Sequence, residues 1–396
     1  MWLTMDLTIL MPCLNESETI AACISQAQGW ALLSDLEVEV LVADNGSTDG
    51  SVEIAEGLGV RVIHVLERGY GSALYAGCAA ASGRWIIIGD ADCSYNFSHL
   101  DPFTKALGDG AELVMGNRFL GGIEPGAMPW KNRYLGNPVL SSIGRLLFGI
   151  PVRDFHCGLR GLTKEAFWRM DLRTTGMEFA SEMVIKAAKN NVAIVEVPVR
   201  LHRDGRSRPP HLRPYRDGWR HLRFMMLFSP RWLFFVPGTA LFFTALTLYI
   251  SLFLGPLNVG NVTFGVRTLF FAQAGISLGL LIMLTGVVAK LFGFRDGLFK
   301  LPKWVKSLLS KPVSESGALL GILCIMFGLL IATDAVANWG LMDFGPVFGI
   351  QLLRTISLST LLLTSGGIIL TYSLFIGFLS LPARNSRNPT ISTTSD

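Results

Sequence analysis

Beyond Trp232 the chain carries four apolar runs, at about 232–254, 268–289, 317–337 and 355–381. Each is near or above the ~20 residues a helix needs to cross a bilayer, where every backbone N–H and C=O must be satisfied within the segment. This fixes 232–381 as four transmembrane helices and leaves residues 1–210 as a separate domain. Half of the 396 residues are hydrophobic and 16% are charged, well below the roughly 25% of an average soluble domain. No basic n-region or long apolar h-region opens the chain, so no signal peptide is expected.

Loop charge orients the helices. The loop between the second and third runs holds Arg295, Lys300, Lys303, Lys306 and Lys311, with Lys290 at its start, whereas the other two loops hold Arg267 and Arg354 at helix edges. By the positive-inside rule this loop, the N-terminal domain and the polar tail 382–396 are cytoplasmic, in a multi-pass integral membrane protein. Between the two halves lies a basic, amphipathic segment at 211–231. Arg213, Arg216, Arg220 and Arg223 recur there at three- and four-residue steps, interleaved with Trp219, Phe224 and Met226. A helix places these arginines on one face. Next to a membrane span, such a face reads as an interfacial helix against anionic lipid rather than a merely solvated one.

Residues 1–210 alternate strand-like and helix-like segments. Leu7–Pro12, Glu37–Ala43, Val60–Val65, Trp85–Gly89 and Glu112–Gly116 read as strands, with helices opening near Asn15, Asp49, Arg68 and Ser98. That alternation predicts an α/β fold with a mostly parallel, doubly wound sheet. Polar clusters fall at the carboxyl ends of the strands: Asn15 and Glu16, Asp44, and Asp90 with Asp92. Open α/β sheets bind ligands at that edge. Two carboxylates spaced i, i+2 offer hard oxygen ligands for Mg²⁺ or Mn²⁺ and a phosphate-bearing substrate. An Asp-rich turn closing a strand is the plain alternative.

Several function classes drop out. The net charge of +4 is small for this length, so no nucleic-acid partner is expected. The six cysteines form no C-x-x-C pair and no zinc-spaced cluster, which leaves them as reduced thiols. Neither a P-loop nor a G-x-S-x-G elbow is present, and Gly69-Tyr70-Gly71 lacks the third glycine of a dinucleotide fingerprint.

Taken in order, Pro12-Cys13-Leu14-Asn15-Glu16, Val42-Ala43-Asp44-Asn45-Gly46-Ser47-Thr48-Asp49 and Asp90-Ala91-Asp92 resemble the signature series of family 2 inverting glycosyltransferases with a GT-A fold. The likeness continues through Met115-Gly116-Asn117-Arg118, Arg133 to Pro138, Asp154 to Gly161 and Arg203 to Arg208, a set similar to polyprenyl- and dolichyl-phosphate hexose synthases. The resemblance implies that Asp44 binds the nucleotide base in a pocket framed by Pro12, Asn15 and Glu16. It implies a divalent metal, Mg²⁺ or Mn²⁺, on Asp90 and Asp92. It assigns the acceptor phosphate to Arg118, Arg133 and Arg203, with Ser207 and Arg208 close by, and makes Asp92, Arg118 and Arg203 the catalytic set. Relatives often carry Gln two residues after the second Asp and Lys at the end of the Arg203 motif, where this chain has Ser94 and Arg208. Glu182 stands where enzymes acting on sugar hydroxyls place a base. A phosphate acceptor is already anionic near neutral pH, so Glu182 is read as mainly structural.

The implied activity is transfer of a hexose, with inversion, from a nucleotide sugar (UDP-glucose or GDP-mannose) to a polyprenyl phosphate, undecaprenyl or dolichyl, at the cytoplasmic face. Similar enzymes also admit a homo-oligomer, a tetramer included. A processive polysaccharide synthase is the first alternative, although Phe228 stands where its Gln-x-x-Arg-Trp motif needs Gln. A diacylglycerol glycosyltransferase and a non-catalytic scaffold or lipid transporter are the others.

Overall fold

The computed structural model describes residues 5–207, 214–295, 313–341, 343–345 and 349–380. Arg208, Arg213, Lys300, Lys303, Lys306, Lys311 and the tail 382–396 lie outside the described residues. Between Leu227 and Phe228 the chain divides into two compact units.

The first unit begins with β1 (Leu7–Cys13), α1 (Ile20–Leu33), β2 (Val38–Asp44), α2 (Ser51–Gly57), β3 (Arg61–His64), α3 (Tyr70–Ala80) and β4 (Trp85–Ile88). It continues with α4 (Asp101–Gly108), β5 (Leu113–Asn117) and the single turn α5 (Arg118–Gly121). A π-turn at Asn132–Gly136 runs into α6 (Asn137–Phe148), and β6 (Arg160–Thr163), α7 (Lys164–Met170), α8 (Phe179–Lys189), β7 (Ile194–Pro198) and α9 (Pro214–Leu227) complete it.

Seven strands form one sheet in the order β3-β2-β1-β4-β6-β5-β7. β1 pairs in parallel with both β2 and β4, β2 with β3, and β5 with β7. Only β6 is reversed, lying antiparallel between β4 and β5. The mostly parallel, doubly wound sheet expected of a GT-A domain is therefore present. β6 was not foreseen: it is four residues long, starts Arg-Gly, and is fixed by long-range pairing rather than by local pattern. Its Arg160 is buried and satisfied by three carbonyls, of Cys157, Phe155 and Ala180, at 2.7–2.9 Å.

Period-two alternation explains how β1 and β4 bury both faces. Leu7, Ile9, Met11 and Ile87 join Trp30, Phe97 and Phe103 in one core, while Leu10, Ile86 and Ile88 join Leu41, Phe167 and Phe179 in the other. Burying each such side chain contributes about 1.5–3 kcal/mol. The sheet is thereby rigid where its strands end, and it ends at the polar clusters. Chain order runs outward from β1 to β3, then returns across β1 to β4, so the switch point falls between β1 and β4.

The second unit starts with a π-turn at Arg231–Phe235 and continues as α10 (Val236–Leu254), a short hairpin of β8 (Leu257–Val259) and β9 (Val262–Phe264), α11 (Val266–Arg295), α12 (Val313–Gly340) and α13 (Ile350–Ser380). Among the described residues its four helices are each long and apolar enough to cross a membrane, matching the four expected runs with ends shifted by a few residues. α11 and α13 are joined by a polar ladder: Gln273 with Thr360 at 2.7 Å, Ser277 with Thr364 at 3.1 Å and Thr285 with Tyr372 at 2.7 Å. The i, i+4 repeat puts these groups on one stripe of each helix, where each satisfies a partner that lipid could not.

Glu182 is fully buried on α8. Its carboxylate accepts from the backbone N–H groups of Arg173 and Thr174, accepts from Thr174 Oγ1 at 2.7 Å, and pairs with buried Lys186 at 2.8 Å. Removing one member of a buried ion pair costs about 3–5 kcal/mol. Glu182→Ala should therefore lower the melting temperature of the protein in detergent by several degrees. An unchanged melting temperature with lost turnover would instead mark Glu182 as a base.

Candidate active site

Three acidic positions emerge at the carboxyl ends of β2 and β4, on either side of β1. Asp44 is the last residue of β2 and is buried. Its carboxylate accepts from the N–H groups of Gly46 (3.1 Å) and Ser47 (3.0 Å), and His64 Nδ1 lies 3.5 Å away. Burial alone would raise its pKa, but the bonds from Ser47 and Gly46 outweigh it and hold the carboxyl below the usual range. The group is ionised and keeps acceptor capacity for a ligand N–H. It borders an open cleft of about 520 Å³, lined also by Ser47, Thr48, His64 and Arg68.

The loop after β1 locks against this turn. Asn15 sits in the left-handed region (φ 58°), which Asn tolerates better than most residues. Its N–H donates to Ser47 Oγ at 2.9 Å, and its Oδ1 accepts from Thr48 N–H at 2.8 Å. Pro12, buried in β1, precedes this loop. Asp44, Asn15 and Pro12 are thus brought to the same edge of the sheet.

Asp90 and Asp92 follow β4. Tyr70 Oη donates to Asp90 Oδ1 at 3.1 Å. Burial, reinforced by the charge of Asp92, pushes the Asp90 carboxyl up to about 6. Only glycine fits opposite it, because a Cβ on Gly158 would lie 2.3 Å from Asp90 Oδ2. Asp92 is buried and its Oδ1 accepts from Ser94 N–H at 3.0 Å. The Ser94 hydroxyl also bonds to Asp92, so it braces the aspartate.

Arg206, which is not among the candidates read from the sequence, makes the densest contacts in the site. Its Nε and Nη2 donate to the two oxygens of Glu16 at 2.8 and 2.7 Å, and its Nη1 lies 3.2 Å from Asp92 Oδ2. Burial lowers the pKa of the guanidinium, but the bonds to Glu16 and the charge of Asp92 more than reverse this. Glu16, expected to frame the nucleotide pocket, is committed to this fork. The signal for Arg206 was present in Arg203-Asp204-Gly205-Arg206-Ser207-Arg208, but its partner lies 190 residues away.

Backbone bonds tie the same segment to the acidic turn: His202 N–H to Ser94 O and Gly205 N–H to Asp92 O, both at 2.9 Å. Arg203 is exposed and held by Pro125 O through its Nε. Ser207 caps Glu18 with its N–H and hydroxyl. Arg133, on the π-turn, lies over the Tyr134 ring at 5.4 Å. Arg118 differs from the other candidates. It is buried, and its Nε and Nη2 form a fork to Asp154, both at 2.7 Å. That bidentate pair satisfies two of its donors inside the domain.

Among the described residues no group of three or more His, Cys, Asp or Glu side chains could hold a metal ion. Two carboxylates, one with its ionised form disfavoured by burial and then by the charge of the other, still fit a hard cation. Mg²⁺ and Mn²⁺ complete their shells with substrate phosphate and water rather than with a full protein cage.

A model of family 2 glycosyl transferases matches residues 8–171, and one of the family 2 C-terminal transmembrane region matches residues 287–380. The low-salt glycan biosynthesis hexosyltransferase Agl6 of Haloferax volcanii is 35% identical over 84% of this chain and 80% of its own length. The chain belongs to glycosyltransferase family 2. A dolichyl-phosphate hexose transferase of the same organism is 31% identical over 49% of this chain and 82% of the relative. The polyprenol monophosphomannose synthase of Mycolicibacterium smegmatis is 27% identical over 48% and 75%. This glycosyltransferase therefore pairs a GT-A domain with four apolar helices of a membrane region.

The raised Asp90 pKa has a consequence for stability. Above about pH 6 the fold must hold an ionised carboxylate that its surroundings disfavour; only below the free value of 3.8 is it mostly protonated in both folded and unfolded states. Asp90→Asn keeps an oxygen for Tyr70 and removes that charge. With chelator present, the variant should be more stable than wild type at pH 8, by about 3 kcal/mol at about 1.4 kcal/mol per pKa unit, and the gain should shrink as the pH falls and vanish toward pH 3. Thermal melts at both pH values measure it.

Proposed function

We propose that the protein transfers a hexose from a nucleoside diphosphate sugar to a polyprenyl phosphate at the cytoplasmic membrane face, with inversion and with Mg²⁺ or Mn²⁺ bound at Asp90 and Asp92. The observation that carries this reading is the pair of backbone bonds from His202 and Gly205 to Ser94 and Asp92. They lay a basic segment, Arg203 to Ser207, along the acidic turn. An acid-bound cation for the donor diphosphate and arginines for an acceptor phosphate are thus neighbours, as a phosphate-accepting transferase requires. Relatives named for dolichyl-phosphate and polyprenol phosphate chemistry support the same acceptor class.

In this reading Asp44 accepts an N–H of the nucleobase, and the Asn15–Ser47–Thr48 lock keeps that pocket in place. The metal, when bound, neutralises the donor diphosphate and the nucleotide that departs. Arg203 grips the acceptor phosphate, with Arg133 and Arg208 adding positive charge, because a guanidinium fork matches two phosphate oxygens. The buried Arg118–Asp154 pair positions the start of α5 and the following strand-like segment, which pairs with Leu201 two residues before Arg203. A phosphate oxygen attacks C1 of the sugar from the face opposite the nucleotide. The new C1–O bond forms as the bond to the nucleoside diphosphate breaks. The acceptor's second pKa is about 6, so no side chain need take a proton. Holding the two reactants in line supplies much of the barrier reduction.

Membrane attachment serves the same end. On α9, Arg216, Arg220 and Arg223 are exposed together with Trp219, a face suited to the headgroup region of anionic lipid. The basic loop charges favour a cytoplasmic catalytic domain.

The test is an assay of purified protein with labelled UDP-glucose or GDP-mannose, undecaprenyl or dolichyl phosphate, and Mn²⁺. The expected product is an organic-extractable hexosyl phosphate lipid that forms once per acceptor. Asp92→Asn and Arg203→Ala should each cut turnover at least 100-fold at unchanged melting temperature. Well-folded protein that makes no such lipid from any common donor would refute the reading.

A further inference from the structure

Two thiols stand beside the acidic turn, and the transfer chemistry uses neither. Cys93 lies between Asp92 and Ser94, in the left-handed region at φ 62°, and is partly exposed. Cys23 is fully buried on α1. Their sulfurs are 3.6 Å apart, and Cys93 Sγ also lies 3.6 Å from Thr19 O. Cys13, Cys78 and Cys157 are buried and Cys324 lies in α12, so each is screened or remote from this turn. Cys93 alone couples access from solvent to a thiol neighbour. Its position, next to an aspartate of the proposed donor site, gives the pair a lever on that site.

We propose that Cys23 and Cys93 form a redox modification site: a hydroperoxide oxidises the pair to a disulfide, and the oxidised turn no longer presents Asp92 to the donor diphosphate. The chemistry balances in two steps. Cys93 sulfur attacks the peroxide O–O bond, giving a sulfenic acid and releasing water from hydrogen peroxide, or an alcohol from an organic hydroperoxide. Cys23 sulfur then attacks Cys93 sulfur, the S–O bond breaks, a second water leaves and the S–S bond forms. The two thiols supply two electrons and the peroxide accepts them.

The mechanical consequence follows from the local bonds. A disulfide needs its sulfurs about 2.05 Å apart, so the two must close by roughly 1.5 Å. Cys23 is anchored in the core, so the movement falls on Cys93. Asp92 and Ser94 flank it and are bonded to each other, and Gly205 N–H is bonded to Asp92 O. Gly205 also packs on this turn, its Cβ position lying 3.6 Å from Cys93 Cβ and 2.9 Å from Thr19 Cγ2. Closure therefore displaces Asp92 together with the segment that carries Arg206.

The effect on donor binding rests on the proposed function; the thiol pairing does not. The full chain in detergent is treated with hydrogen peroxide, mapped by non-reducing peptide mass spectrometry and titrated for free thiols. Nucleotide-sugar binding with Mn²⁺ is then followed by thermal shift. The expected result is one linked peptide joining Cys23 to Cys93, a fall from six free thiols to four, and at least tenfold weaker donor binding, all reversed by dithiothreitol. Cys23→Ala should keep donor binding after the same treatment, with Cys93→Ala as a second variant if the first does not fold. The proposal is overturned if no Cys23–Cys93 peptide forms, if the disulfide forms with donor binding unchanged, or if Cys23→Ala loses binding as wild type does. Untreated protein that binds no nucleotide sugar would refute the functional reading instead, and the peptide map would still decide whether the thiols pair.

Discussion

The guanidinium of Arg206, forked onto Glu16 and reaching Asp92, is the interaction on which the site depends. A parallel sheet delivers its strand ends to one edge, and this sequence puts acids at three of them. Without a counter-charge, carboxylates at that edge are disfavoured by burial and by one another, as the Asp90 pKa, raised first by burial and then by Asp92, records. Arg206 supplies the counter-charge from the far end of the domain. It thereby joins the loop after β1, the turn after β4 and the basic segment after β7. A bound divalent cation would take over the same electrostatic task, which makes the arginine and the metal natural alternatives for the Asp92 carboxylate.

Other buried charges are scaffolding for that edge. Arg118 with Asp154 fixes the start of α5, and Glu182 with Lys186 fixes the Arg173–Thr174 loop. That loop leads to Thr175, whose carbonyl accepts from Ser72 N–H near the start of α3, the helix that carries Tyr70 to Asp90. A chain of satisfied polar groups thus runs from α8 to the acidic turn. Each link is expensive to break, because its partner would be left buried and unpaired. The carboxylates of the acidic turn are therefore held by the fold rather than by each other.

Much of this was legible in the sequence because local pattern and burial agreed. The β-branched runs of β1, β2 and β4 lie within a residue or two of their expected ends, and the four apolar runs are the four long helices. Asp44, Asn15, Asp90 and Asp92 stand at strand ends because polar residues directly follow apolar runs. What was not legible depends on distant contacts. β6 has a weak strand signal and exists through pairing with β4 and β5. The commitment of Arg118 to Asp154 spans 36 residues, and that of Arg206 to Glu16 spans 190. An arginine in a basic motif looks like a phosphate ligand whether or not a carboxylate already occupies its fork. The sequence offers the donors, and only the fold says which are free to bind a ligand.

In the proposed reaction the Asp90–Asp92 turn takes a divalent cation with the donor diphosphate, and Arg206 gives way to it. The most direct measurement is a structure of the protein with Mn²⁺ and a nucleoside diphosphate sugar, with the ion located by its anomalous scattering. The expected result is manganese on Asp92, the diphosphate on manganese, and Arg206 released from Asp92. Manganese bound away from both aspartates, or a bound donor with Arg206 still bridging Glu16 and Asp92, would contradict it.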